Sequence, residues 1–250
     1  MSRLFFGARL GLNGGSRGGF TPSILPSLKL WLPADRISGL VDGDPVTTWA
    51  DLSGQGNHAT QGTGAAKPLY KVGIANGRPG VLFDGVDDFM SLTAGAATAM
   101  LTGDHTVFAV VKWVTFGSDG RIVTVANGTA STRFSLRHLT GPVWNLAWTT
   151  GAAGFNASFS AGDIPSAIVP QVVECVQSGA NISGLLNGTT GVSNTNAGTE
   201  AAAAQSMGAN GSGAASFGNL YLMEFITYSA GLSAADRARV RRYLGAKYGV

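Results

Sequence analysis

Short runs of alternating apolar and polar positions begin at Leu28 and continue almost to the end of the chain. Leu28-Lys29-Leu30-Trp31-Leu32 alternates and stops at Pro33, which marks a strand buried on one face. Residues 106–114 are nearly all apolar, with many β-branched or aromatic side chains, so they read as a central strand covered on both sides. Similar runs predict strands at 46–49, 81–83, 89–92, 121–126, 132–137, 143–148, 171–176, 182–186 and 220–228. Gly, Asn and Asp cluster between them, and Asn187-Gly188 is a hairpin signal. One stretch has a helical period instead. Ser233-Ala234-Ala235-Asp236 resembles a capping box, Val240, Tyr243 and Leu244 form one apolar stripe, the arginines take the other face, and Gly249 stops the helix. The pattern predicts an all-β, two-sheet antiparallel β-sandwich (jelly roll) with one C-terminal α-helix, residues 233–248.

Before this pattern comes an extended N-terminal arm. Arg3, Leu4, Phe5, Phe6, Arg9 and Leu10 mix apolar and basic character, and residues 13–19 are mostly glycine. A solvated tail would be more polar, so these six residues are expected to dock on a partner. Residues 21–26 form a Pro-bounded linker. The expected division is therefore an arm and linker at 1–26 and a sandwich at 27–250.

Composition narrows the function. The single Cys excludes an internal disulfide framework and a multi-cysteine zinc site. No apolar run reaches the ~18 residues of a spanning helix, so no membrane role is expected. Arg9 interrupts what would be the apolar part of a signal peptide, which predicts synthesis in the cytoplasm and no export by the general route. The net charge of +3 is concentrated at the two ends, which argues against a nucleic-acid groove. Charged residues make up 12% of the chain, about half the usual ~25%. A surface of Gly, Ser, Thr, Asn and Ala suits a protein packed against neighbours, and a homo-oligomer is expected.

Several segments together resemble a known family. They are Leu30-Trp31-Leu32, WADLSGQGNHATQ at 49–61, NGRPGVLFDGVDDFM at 76–90, HTVFAVVKW at 105–113 and the closing LYLMEFITYSAGLSAADRARVRRYLGAKYG at 220–249. Their order resembles the laminin-G-like branch of the concanavalin A-like lectin/glucanase superfamily, whose fold is a two-sheet antiparallel jelly roll. With a short Gly-rich arm in front, the chain also resembles bacteriophage virion proteins. That resemblance implies a non-enzymatic structural protein of the virion. It would decorate or cement the capsid, or sit on the tail, through its arm, with capsid or tail proteins as partners. The alternative is a glycan-binding adhesion module that recognises carbohydrate on a host surface.

Candidate chemistry is sparse. The glucanases of this superfamily carry Glu-x-Asp-x-x-Glu on one strand, and a glycosidase needs two carboxyl groups ~5 to 9.5 Å apart. The chain has only Glu174, Glu200 and Glu224, well separated, so no catalytic residue and no enzyme activity is expected. Asp84, Asp87 and Asp88 are the densest acids and the only calcium candidate, although neighbouring Asp87 and Asp88 would point opposite ways on extended chain. Asp and Gly there equally suit a turn closed by its own side chains, and no cofactor is expected. For glycan contact the candidates are Trp144 and Trp148, on one strand face, and the polar Asn57 and His58. Cys175 lies in an apolar run and reads as a buried small hydrophobe.

Overall fold

The computed structural model describes residues 19–100, 103–116, 119–126, 132–138, 144–150, 153–158, 169–194 and 204–250. In chain order its strands are β1 (Leu28–Pro33), β2 (Thr48–Trp49), β3 (Ala59–Thr60), β4 (Leu69–Ala75), β5 (Arg78–Asp84), β6 (Met90–Ser91), β7 (His105–Trp113) and β8 (Arg121–Ala126). They continue with β9 (Thr132–His138), β10 (Trp144–Thr150), β11 (Ala153–Ser158), β12 (Gln171–Ser178), β13 (Asn181–Leu186), β14 (Thr189–Asn194), β15 (Ala204–Met207) and β16 (Asn219–Tyr228). Two α-helices, α1 (Ala94–Thr98) and α2 (Ala234–Tyr248), and three single-turn 3-10 helices at Pro22–Ile24, Ala34–Arg36 and Gly64–Ala66 complete the described elements.

The strands form two antiparallel sheets of eight. One runs β14-β13-β12-β7-β16-β5-β4, with β1 also on β16; the other runs β11-β10-β9-β8-β15-β6-β3-β2. The expected sandwich is therefore present. β7 is central, as its continuous apolar run requires, and pairs with both β12 and β16. Alternate residues of β7 serve two cores. Val107, Ala109, Val111 and Trp113 face the second sheet, where they meet Trp49, Ile122, Val125 and Met207. Phe108 and Val110 face outward into a second apolar cluster with Val240, Leu244 and Tyr248 of α2. Fully burying each large side chain contributes roughly 1.5–3 kcal/mol.

Helix α2 covers the outer face of the first sheet. The Ser233 side chain accepts from the Asp236 amide at 3.1 Å and donates to the Asp236 carboxylate at 2.9 Å. The acid thus closes on the cap hydroxyl and not on a backbone amide. Gly249 ends the helix in left-handed conformation, φ 73°, where a Cβ is disfavoured. The two longest outward-facing acids of the sheet meet this helix. A register shift between Leu222 and Glu224 is a β-bulge. It lets Leu222 and Phe225 face the inner core while Met223 joins the outer cluster and Glu224 reaches α2.

The short strands and the hairpin partners were the least visible. β4, β11, β14 and β15 lack strong alternation, and their pairing is set by their neighbours in the sheets. The described end of the expected arm and linker, residues 19–26, is anchored. Phe20 and Leu25 pack on the outer cluster, and the Tyr228 hydroxyl donates to the Pro22 carbonyl at 3.0 Å. The docking residues Arg3, Leu4, Phe5, Phe6, Arg9 and Leu10 lie outside the described residues.

Candidate functional site

A groove of about 610 Å³ opens between α2, β1, the turn that follows β1, and residues 19–21. Its apolar lining comes from Phe20, Trp31 and Tyr243. Trp31 occupies an outward position of β1, between the inward-facing Leu30 and Leu32. Phe20 meets Tyr243 edge-on, with ring centroids 6.1 Å apart. The Arg239 guanidinium lies 5.0 Å from the Phe20 centroid, a cation–π contact.

Beneath these rings sits Glu224, fully buried. It accepts hydrogen bonds from the Trp31 indole N–H at 2.6 Å, the Tyr243 hydroxyl at 2.9 Å and the Tyr248 hydroxyl at 2.8 Å. Lys247 Nζ pairs with it at 2.8 Å and with Asp35 at 2.7 Å. Burial first, and then the Glu224 charge, raise the Tyr243 and Tyr248 phenols far above their ordinary value. Both therefore stay protonated and donate. The network fixes Trp31 and Tyr243 in place, so the groove presents rigid rings.

The other charges of the groove are cationic. Arg36, Arg78, Arg239 and Arg242 line it beside Lys247, against the single carboxylate of Asp35. Arg78 reaches Asp35 at 3.4 Å, and Arg239 pairs with Asp236 at 3.1 Å. Sequence reasoning missed this site. Its signal was an aromatic at the polar parity of β1 together with the basic stripe of α2. That stripe was read as a face pointing away from the sheet. The structure corrects this for Arg237 and Arg241, which turn inward and clamp the buried Glu174 at 2.6 Å each. A carboxylate on the outer face of β12 needs cations, and the helix above it supplies them.

The residues singled out from the sequence fall elsewhere. Asn57 is buried; its side chain donates to the Lys29 carbonyl at 2.8 Å and accepts from the Thr93 hydroxyl at 2.5 Å. His58 is exposed, with Nδ1 accepting from the Asp51 amide at 2.9 Å. Asp51 in turn accepts from the amides of Trp31, Ser53 and Asn57, so this loop is bound to β1 by its own side chains. Trp144 and Trp148 are placed on β10, opposite His138 and Phe134, and their side chains lie outside the described residues. Cys175 is buried.

Asp84, Asp87 and Asp88 do converge, with one oxygen of each within 4.8 Å of the others. Expecting Asp87 and Asp88 to point apart fails because the chain here is a tight turn and not extended. Gly85, at φ 79°, permits it; a Cβ there would lie 2.8 Å from Asn219. Asp84 accepts from the Val86 and Asp87 amides, and Asp88 accepts from the Asp84 amide. Burial, then the charge of Asp84, pushes the Asp88 carboxyl up to about 6. Two of the three carboxylates thus already close the turn.

No family model and no curated protein sequence matches this chain. Its fold is similar to solved structures. It covers 33% of Trypanosoma rangeli sialidase at a TM-score of 0.59 and 15% identity, using 87% of its own length. It covers 52% of the binding domain of botulinum neurotoxin DC in complex with SialylT, with a TM-score of 0.60, 13% identity and 88% of this chain. Domain 4 of AbnA, an extracellular GH43 arabinanase from Geobacillus stearothermophilus in complex with arabinotriose, is matched over 95% of its length. That match has a TM-score of 0.59, 14% identity and 84% of this chain. The chain thus spans about a third of the sialidase and nearly all of the arabinanase domain. These likenesses establish the β-sandwich fold. The virion reading rests on the sequence resemblance alone.

Proposed function

We propose that this protein is a non-catalytic carbohydrate-binding module whose saccharide site is the groove beside α2. The observation that carries the reading is the pair of fixed rings, Trp31 and Tyr243, in an open groove edged with hydrogen-bond donors. Sugar rings pair apolar C–H faces with hydroxyl edges, and an aromatic floor with polar walls complements both. The sandwich neighbours solved with SialylT and with arabinotriose support a sugar-binding role for a domain of this shape. Glu174 and Glu224 support the absence of hydrolysis, since each is buried and committed to cations of α2. A glycosidase needs two carboxyl groups facing one cleft.

A glycan array probed with the full chain tests this. We expect a restricted set of saccharides to be retained, and mass spectrometry to recover them uncleaved. Retention of none would overturn the reading. Release of shortened products would replace it with an enzyme.

A further inference from the structure

We infer that the groove selects acidic saccharides over neutral ones. The inference rests on the carbohydrate-binding reading and specifies the class of sugar. Five cationic side chains line the groove against one carboxylate. That carboxylate, Asp35, is already shared between Lys247 and Arg78. Arg239 is paired with Asp236 and stacked on Phe20. Arg36 and Arg242 are exposed and make no ion pair among the described residues. Two exposed guanidinium groups of the groove lining therefore lack a carboxylate partner among the described residues.

The surroundings do not neutralise them. Glu224 is screened from the opening by the rings that bond to it and is matched by Lys247. By sequence, residues 1–18 carry Arg3, Arg9 and Arg17 and no acid. A net charge of +3 on the whole chain is thus unevenly spread, and a concave patch of one sign draws in the opposite sign. Arginine donors are planar forks that engage a carboxylate or a sulfate with two N–H groups at once. A sugar bearing such a group can lie on Trp31 or Tyr243 and present its anion to Arg36 and Arg242.

The test pairs each acidic glycan with its neutral counterpart: sialylated with desialylated, uronate with its methyl ester, and sulfated with desulfated. Calorimetry is run at low and at physiological salt, with a single-stranded oligonucleotide as a competing polyanion. We expect the acidic member of at least one pair to bind more tightly, and its advantage to shrink as salt rises. The Arg36→Ala/Arg242→Ala variant should lose about tenfold or more in affinity for that member, the scale of charged hydrogen bonds. Both residues are exposed, so the thermal midpoint should not move. Equal binding of acidic and neutral partners overturns this inference and leaves the carbohydrate reading standing. Unchanged affinity in the double variant overturns the location. Binding of no glycan overturns the reading beneath both, and tight binding of the oligonucleotide alone replaces it with a nucleic-acid role.

Discussion

The two faces of the β7–β16 sheet bury similar apolar side chains but treat ionisable groups in opposite ways. Toward the second sheet, β7 and β12 place only groups held neutral. Burial pushes the Cys175 thiol up, and it pushes His105, at the inward parity of β7, down to about 4. Toward α2, β12 and β16 place two carboxylates, Glu174 and Glu224, each matched by helix cations. A sheet can face only apolar strands without supplying counter-charges. A helix with a basic stripe can satisfy a buried acid and is fixed in register by doing so. The groove exists because of the second arrangement: Glu224 holds Trp31 and Tyr243 where a ligand can meet them.

The largest effect should come from breaking the outer face at its centre. Glu224→Ala leaves the nearly buried Lys247 with Asp35 as its remaining carboxylate and removes the buried acceptor of three further donors, and should cost about 3 kcal/mol in urea unfolding. A loss under about 1 kcal/mol would mean that the clamp does not hold the helix.

The inner face is tested by pH. His105 has its folded value lowered from 6.5 to about 4, so between those values the unfolded chain binds the proton more readily. Its contribution is present above 6.5 and is lost as pH falls toward 4, up to about 3 kcal/mol. His105→Gln should flatten that part of the stability profile; an unchanged slope would remove His105 as its source.

Glu174→Ala should cost about 2 kcal/mol, less than Glu224→Ala, because Arg237 and Arg241 keep partial access to water. Replacing all three with apolar residues (Glu174→Leu, Arg237→Met, Arg241→Met) should return within about 1 kcal/mol of the parent protein. Failure of that rescue would show that the charges specify the docking of α2 and do not merely satisfy one another.

The smallest effect belongs to an acid with no ion-pair partner among the described residues. Asp88 has a raised folded value, so its charged form destabilises the fold at neutral pH. Asp88→Asn keeps an acceptor for the Asp84 amide. It should stabilise by about 1 kcal/mol near neutral pH, discounted because Asp84 and Asp87 face water. The gain should fade as pH drops from about 6 through 3.8, where the parent carboxyl protonates, and thermal melts across that range check it.

The architecture was legible where burial imposes a period. β7, β16 and α2 stand within a residue or two of their expected bounds because each carries a face that must be covered. β15 was not, since it pairs with β8 and β6, far away in sequence; β4 was not, since it is an edge strand beside β5 whose half-exposed residues carry no apolar period. The site was legible only in fragments. Trp31 and the basic residues of α2 were each visible, but they lie more than 200 positions apart in the sequence, and the packing of α2 across β1 and β16 joins them. The β-bulge that aims Glu224 at the helix leaves no trace in an otherwise apolar run. Asn57 and His58, the polar glycan candidates, bond to the Lys29 carbonyl and the Asp51 amide, partners that a loop rich in polar side chains does not reveal in its sequence.

The most direct test of the groove as the saccharide site is the indole N–H spectrum of the nitrogen-15 labelled protein, titrated with a glycan retained on the array. The chain has five tryptophans. Trp31 lines the groove with its N–H on Glu224, whereas Trp49 and Trp113 are buried between the sheets. The account predicts that the Trp31 resonance moves in a saturable way while those of Trp49 and Trp113 stay in place. A still Trp31 signal, with saturable shifts at Trp144 and Trp148 instead, would contradict it and move the site to β10.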